Sequence, residues 1–249
     1  MKRFTGNKQS TKILMVALAV VVLLPFSVGA ETLVNPGYTR GTGDDLYISV
    51  NGVTEHVLSV EFKAQVRDNK GNLVNGGQWF TGFCVDPTQN AQIGGTLAVT
   101  LVAPSQDVTL APMVKGGMQE AAWLMENRKH YTNTAWTAYE SAALQVAIWE
   151  VIVDYNQAEA YNLADGIFKL GSANQIVKDL ANFYLQDLKN NYSWNSFLDS
   201  KYKVALSATA QDWLLNVPGD PVATPEPGTL LLLGGGLLGL FATARKRIR

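Results

Sequence analysis

The chain has 249 residues, with 20 basic side chains against 21 acidic ones. That near balance, with neither sign forming a long interior run, excludes the basic face a nucleic-acid binder needs. Six Trp, nine Tyr and nine Phe supply ample core material, so the interior is not a disordered segment.

Lys2, Arg3, Lys8 and Lys12 precede an apolar run from Ile13 to Val28, and Val28-Gly29-Ala30 offers small residues for signal peptidase. Residues 1–30 therefore read as a Sec signal peptide cut after Ala30, with the mature chain starting near Glu31. An uncleaved anchor is the weaker alternative, because the apolar run is short and contains Pro25. Export makes the single cysteine, Cys84, informative. In an oxidising compartment it has no intramolecular thiol partner, so it is either an inert buried thiol or chemically capped.

Strands begin after Gly41. Leu46, Ile48 and Val50 alternate with Tyr47 and Ser49, and Asn51-Gly52 is a hairpin turn. Val57 to Val66 alternates as the next strand, and Asp68 to Asn72 turns the chain. Gln78 to Val85 is a third strand with Cys84 near its end, and Thr96 to Ala103 a fourth, closed by Pro104. From about Val114 the period becomes helical, with Met118, Ala121, Ala122 and Met125 on one stripe. Glu140 to Tyr155 predicts a helix apolar nearly all round, as buried helices are. Gln145 sits in its middle and must find partners. Asn156 to Ala173 reads as short helical or turn pieces, and Ile176, Leu180, Phe183 and Leu188 mark one more amphipathic helix. Tyr202 to Thr209 and part of Trp213 to Val217 alternate as final strands. Strands, then helices, then strands predict an α+β fold, a mostly antiparallel β-barrel or sandwich with a helical insertion over residues 31–217.

Residues 218–228 form a proline-rich linker, stiff and extended. Residues 229–249 hold an apolar stretch to Ala244 and a basic end, Arg245-Lys246-Arg247-Ile248-Arg249. The apolar stretch is just long enough to cross a bilayer, and its terminal cations would keep that end in the cytoplasm.

Two resemblances follow from these residues. Phe83-Cys84-Val85-Asp86 and Leu144-Gln145-Val146-Ala147-Ile148-Trp149 together resemble the thioester domains of bacterial surface adhesins, with Leu144 where many members carry Thr. Those domains set helices against a β-barrel or sandwich, and join a Cys sulfur to a Gln side-chain carbonyl. The resemblance implies an internal thioester between Cys84 and Gln145, formed as the thiolate attacks the carboxamide and ammonia leaves. Phe83 and Trp149 are the candidates for shielding it, with Trp79 or Trp123 beside them, though ordinary packing suits each one alone. Asp86 is the nearest carboxylate for moving protons, against the plainer role of a solvated loop acid; Tyr139 and Glu140 are weaker candidates. The tail resembles the PEP-CTERM sorting signal, with Pro225-Glu226-Pro227, the apolar helix and Arg245, Lys246 and Arg247 in order. That family implies processing by exosortase, a membrane cysteine transpeptidase of Gram-negative bacteria that commonly make an exopolysaccharide matrix.

An enzyme reading finds little support. His56 and His130 cannot make a multi-histidine metal site, and a Cys84–His130 hydrolase dyad lacks a family signature. No cofactor or metal is expected. The expectation is an exported cell-surface or extracellular-matrix protein, anchored in the inner membrane with its domain in the periplasm before processing. It would bond once, covalently, to an amine- or hydroxyl-bearing protein or polysaccharide. The alternative is a non-covalent matrix or carbohydrate-binding β-domain in which Cys84 and Gln145 are structural.

Overall fold

The computed structural model describes residues 31–106, 116–128, 137–155 and 161–218. The signal peptide with Ala30, His130, the linker beyond Pro218, and the sorting tail with Pro225, Glu226, Pro227, Arg245, Lys246 and Arg247 lie outside them. Among the described residues no helix is long and apolar enough to cross a membrane.

The strands are β1 (Glu31–Val50), β2 (Val53–Arg67), β3 (Phe80–Cys84), β4 (Thr96–Val102), β5 (Phe168–Leu170), β6 (Tyr202–Leu206) and β7 (Trp213–Asn216). The helices are α1 (Met118–Asn127), α2 (Ala138–Val153), α3 (Gln175–Asn191) and α4 (Phe197–Lys201). The sheet runs β2-β3-β7-β6-β4-β1, and β1 pairs back onto β2, so six antiparallel strands close into a barrel. Closure removes free strand edges. The short β5 is added outside the ring, against Ile48–Val50 of β1. Barrel rather than sandwich is therefore the architecture, and α1, α2 and α3 form the expected insertion between β4 and β6.

Asn51 and Gly52 both take positive φ, 50° and 82°, as the tight β1–β2 hairpin requires. Strand β1 begins some way before the expected start. Pro36, Gly37 and Gly43 hid its first half, and they sit where the β1–β2 register slips, between Val34 and Gly37 and between Tyr38 and Gly43. Such bulges are where strands tolerate Pro and Gly. Strand β5 escaped because three residues are too few for alternation to show, and α4 is equally brief.

Helix α2 is the hub of the insertion and packs on β1, β2, β3, β5, α1 and α3. A capping box starts it: Glu140 N–H donates to the Thr137 hydroxyl, and Thr137 N–H donates to Glu140 Oε2 at 2.6 Å. That use of Glu140, and the partial exposure of Tyr139, place both away from the thiol chemistry considered for them. The second β1–β2 slip leaves Glu61 outside the ladder, and its N–H donates to Ser141 Oγ of α2 at 2.8 Å. Ser59 Oγ returns a bond to the Ala142 carbonyl at 2.9 Å.

At the other end of α2, Glu150 Oε1 accepts from Asn162 N–H, while the two oxygens of Asp154 accept from Ile167 and Phe168 N–H. These bonds tie the β5 segment to the helix. Burial, reinforced by the charge of Asp154, pushes the Glu150 carboxyl up to about 8 from 4.5, against the lowering effect of the Asn162 bond.

Two predictions follow from packing and charge. A Cβ at Gly82, in β3, would lie 2.2 Å from the Leu214 carbonyl, whereas one at Gly37 would meet only Asn35 O at 3.9 Å. Gly82→Ala should cost about 3 kcal/mol in urea unfolding, and Gly37→Ala should stay within about 0.5 kcal/mol. For Glu150, the folded state holds a proton that the unfolded chain releases near 4.5, so stability falls as pH rises from 4.5 towards 8. Comparing unfolding midpoints at both ends of that window, Glu150→Gln should flatten the slope; an unchanged slope would show that the acid is ionised in the fold.

Candidate functional site

Cys84 ends β3 opposite Trp213 of β7, and only 2 % of it is exposed. Pairing of β2 with β3 stops at Gly82, so the Cys84 peptide lacks a strand neighbour on that side. Gln145 of α2 fills the gap with its side chain. Cys84 N–H donates to Gln145 Oε1 at 2.9 Å, and Gln145 Nε2 donates to the Cys84 carbonyl at 2.8 Å. One carboxamide thus supplies the donor and acceptor of a missing strand, satisfying buried groups that would each cost 1–3 kcal/mol unpaired.

The structure brings Cys84 and Gln145 together, then, but through the Cys84 main chain. The thiol itself faces a different glutamine. Cys84 Sγ donates to Gln211 Oε1 at 2.6 Å, and Gln211 Nε2 donates to the Asp86 carbonyl at 2.7 Å. The hydrogen bond of the thiol goes to Gln211, whereas both polar atoms of Gln145 bond the β3 backbone. Gln211 stands just before β7, in Ala210-Gln211-Asp212-Trp213-Leu214-Leu215. Its position is held by Val85 N–H donating to the Asp212 carbonyl and by Gln211 N–H donating to the Asn90 carbonyl.

Asp86 is fully buried rather than a solvated loop acid. Its Oδ1 accepts from both the backbone N–H and the hydroxyl of Thr88, at 2.9 and 2.7 Å, while Oδ2 has no partner. Burial, and then the charge of Asp86, hold the Cys84 thiol well above its ordinary 9.0. The resting thiol is therefore protonated at neutral pH. Burial also raises Asp212, helped by Asp86 and opposed by a bond from Ser207 N–H.

Phe83 is fully buried, but side chains alternate along a strand, so it faces away from the side that Cys84 uses. Trp149 lies one turn beyond Gln145, is 3 % exposed, stands 6.3 Å from Phe168 and has an unpaired Nε1. Trp79 is half-exposed under Lys63 and Trp123 packs on Tyr192, whereas Trp213 is fully buried and in register with Cys84. His56 stacks on Tyr47 beside Asp45 on exposed strand surface, with no tie to the buried thiol. Among the described residues no cluster of His, Cys, Asp or Glu could hold a metal. A cavity of about 220 Å³ opens beside the turn after β3, lined by Ile48, Val50, Val53, Glu55, Pro87 and Thr88 among others.

Sequence reasoning missed Gln211, Trp213 and the role of Thr88. A signal was present for the first: a polar pair, Gln211-Asp212, immediately ahead of an apolar strand that must lie beside β3.

Comparison with known proteins assigns the tail. A family model described as the PEP-CTERM protein-sorting motif matches residues 223–247. The motif implies exosortase as processing partner, and a secreted protein held in the membrane before processing that ends at the cell surface or outside. No curated protein and no solved structure matches the chain.

Because Gln145 replaces a strand, Gln145→Leu should cost about 4 kcal/mol in chemical denaturation, from two buried backbone groups losing their partners. A cost below about 1 kcal/mol would mean the β3 edge is satisfied without it.

Proposed function

We propose that this chain is a surface or matrix protein whose barrel stores an internal thioester between Cys84 Sγ and the side-chain carbonyl carbon of Gln211. The observation that carries the reading is the 2.6 Å contact of the thiol with the Gln211 side-chain oxygen, which is bonded to the carbon that sulfur would attack. Nucleophile and acyl group are brought together by two adjacent strands, β3 and β7, which reduces the orientational cost of a reaction amides otherwise resist. Gln145 serves as the clamp that fixes the Cys84 peptide, not as the acyl donor. The resemblance of Phe83–Asp86 to adhesin thioester domains supports Cys84 as the sulfur partner, while that of Leu144–Trp149 implies Gln145 rather than Gln211 as the acyl donor.

A shielded thioester is a stored acyl electrophile. An amine or hydroxyl of a protein or polysaccharide that reaches Gln211 forms an amide or ester and frees the Cys84 thiol. The reaction happens once, so the chain is a covalent tether rather than an enzyme. A Sec leader over 1–30 and the exosortase-processed tail deliver the domain to the place where such partners are met.

A second reading is favoured by the completeness of the network. Both glutamines already have their hydrogen bonds, as in a structural core serving a non-covalent matrix or carbohydrate-binding domain. Intact mass of the purified full chain separates the two. A mass short by one ammonia, regained as one methylamine on Gln211 with release of a thiol, is the expected result, and Cys84→Ala should abolish it. A full mass with a titratable thiol in the native protein would overturn the thioester, and methylamine on Gln145 would reverse the assignment of the glutamines.

A further inference from the structure

Within the thioester reading, on which this inference rests, the chemistry needs a group the bond itself does not supply. The thiol begins protonated, and sulfur attacks a carbonyl only as thiolate. The amide nitrogen must also gain a proton before it leaves as ammonia. Asp86 bears on both events, through its main chain on the leaving nitrogen and through its charge on the thiol. Asp86 lies two positions after Cys84, and its main-chain carbonyl holds the leaving nitrogen, Gln211 Nε2, at 2.7 Å. Its carboxylate is completely buried. Oδ1 is committed to the Thr88 turn, and Oδ2 is without a partner. Leaving a carboxylate oxygen unpaired in a core is costly, and here it belongs to the residue whose charge reaches the Cys84 thiol.

We propose that Asp86 is the proton-transfer residue of the site, accepting the Cys84 proton through Oδ2 and returning it to the departing group. In bond formation the Cys84 S–H proton passes to Asp86, and the thiolate adds to the Gln211 carbonyl carbon. The C–N bond then breaks, and the nitrogen leaves as ammonia with the proton from Asp86. The carboxylate ends as it began. When an amine later attacks, its surplus proton goes to Asp86 and then to the expelled Cys84 thiolate, giving an amide and a free thiol. The bond to Thr88 keeps Oδ1 fixed and leaves Oδ2 to do this. Two titratable groups feel the Asp86 charge, Cys84 on its own strand and Asp212 ahead of β7; α2 brings the neutral Gln145.

The test follows thioester formation by intact mass as the full-length chain folds in detergent. Asp86→Asn keeps an oxygen for Thr88 and the same volume, so it removes the base and little else. Formation should slow by about 100-fold or more, the usual worth of a positioned base. The deficit should narrow as pH rises and hydroxide deprotonates the thiol instead. An equal rate in Asp86→Asn, or a deficit that does not change with pH, would overturn the proposal. Should that variant not fold, Thr88→Val gives an independent reading. Without the hydroxyl bond Oδ1 keeps only the Thr88 N–H and the carboxylate loses its aim, so formation should slow severalfold; an unchanged rate rejects Asp86 as the base. Wild-type chain that never loses ammonia would instead reject the thioester itself, and this inference with it.

Discussion

The two hydrogen bonds between the Gln145 side chain and the Cys84 peptide hold the helical layer and the barrel in one register. Strand β2 separates from β3 after Gly82, and without a substitute the end of β3 would present buried, unpaired backbone to α2. A carboxamide has the same donor and acceptor pair as a peptide, so one side chain completes the ladder. Everything at the site depends on that placement. It holds the Cys84 peptide at the end of β3, where the thiol meets Gln211 just ahead of β7. The same helix is secured to the sheet at Ser141 and Ala142, and to the β5 segment at Glu150 and Asp154.

The buried acids divide by the partners they have. Glu140 and Asp154 are spent on helix ends and loop N–H groups, and burial pushes Glu150 up to about 8. Asp86 and Glu150 each have one bonded oxygen and one without a partner, and Asp86 differs in that its charge reaches the Cys84 thiol. Burial acts on Cys84 together with the charge of Asp86. It suppresses the thiolate at rest, which protects a lone exported thiol, and it makes proton removal the step that needs help.

Much of the fold was legible because the signals are local. Asn51-Gly52 marked the hairpin, period-two alternation marked β2 and β4, and the all-apolar face of α2 marked the buried helix. The first half of β1 was not legible, since Pro36 and Gly37 resemble a loop unless the bulges they serve are known. At the site, Cys84 and Gln145 read as a pair, and the Gln145 side chain bonds the Cys84 main chain. Their bond type was not legible, because a glutamine meeting a cysteine reads alike whether it touches sulfur or backbone. Gln211 was hidden for another reason: its neighbours in space, Cys84 and Asp86, are more than a hundred residues away in sequence, and only barrel closure brings β7 beside β3.

Under the proposed thioester, the position of Gln211 has a mechanical consequence. It lies just ahead of β7, the last strand before the chain leaves the barrel at Val217 and Pro218 towards the sorting tail. If a partner is bonded at Gln211 while the C-terminal side is held by the cell, tension runs along β7 alone and out of the domain. The barrel, the helices and the Gln145 clamp then stand beside the load path instead of within it. A partner bonded at Gln145 would pull through α2, and the force would have to cross the helical layer and the sheet to reach the same exit. With Gln211 as the attachment point, a pulled tether can stretch or even strip out one strand while the covalent connection itself endures.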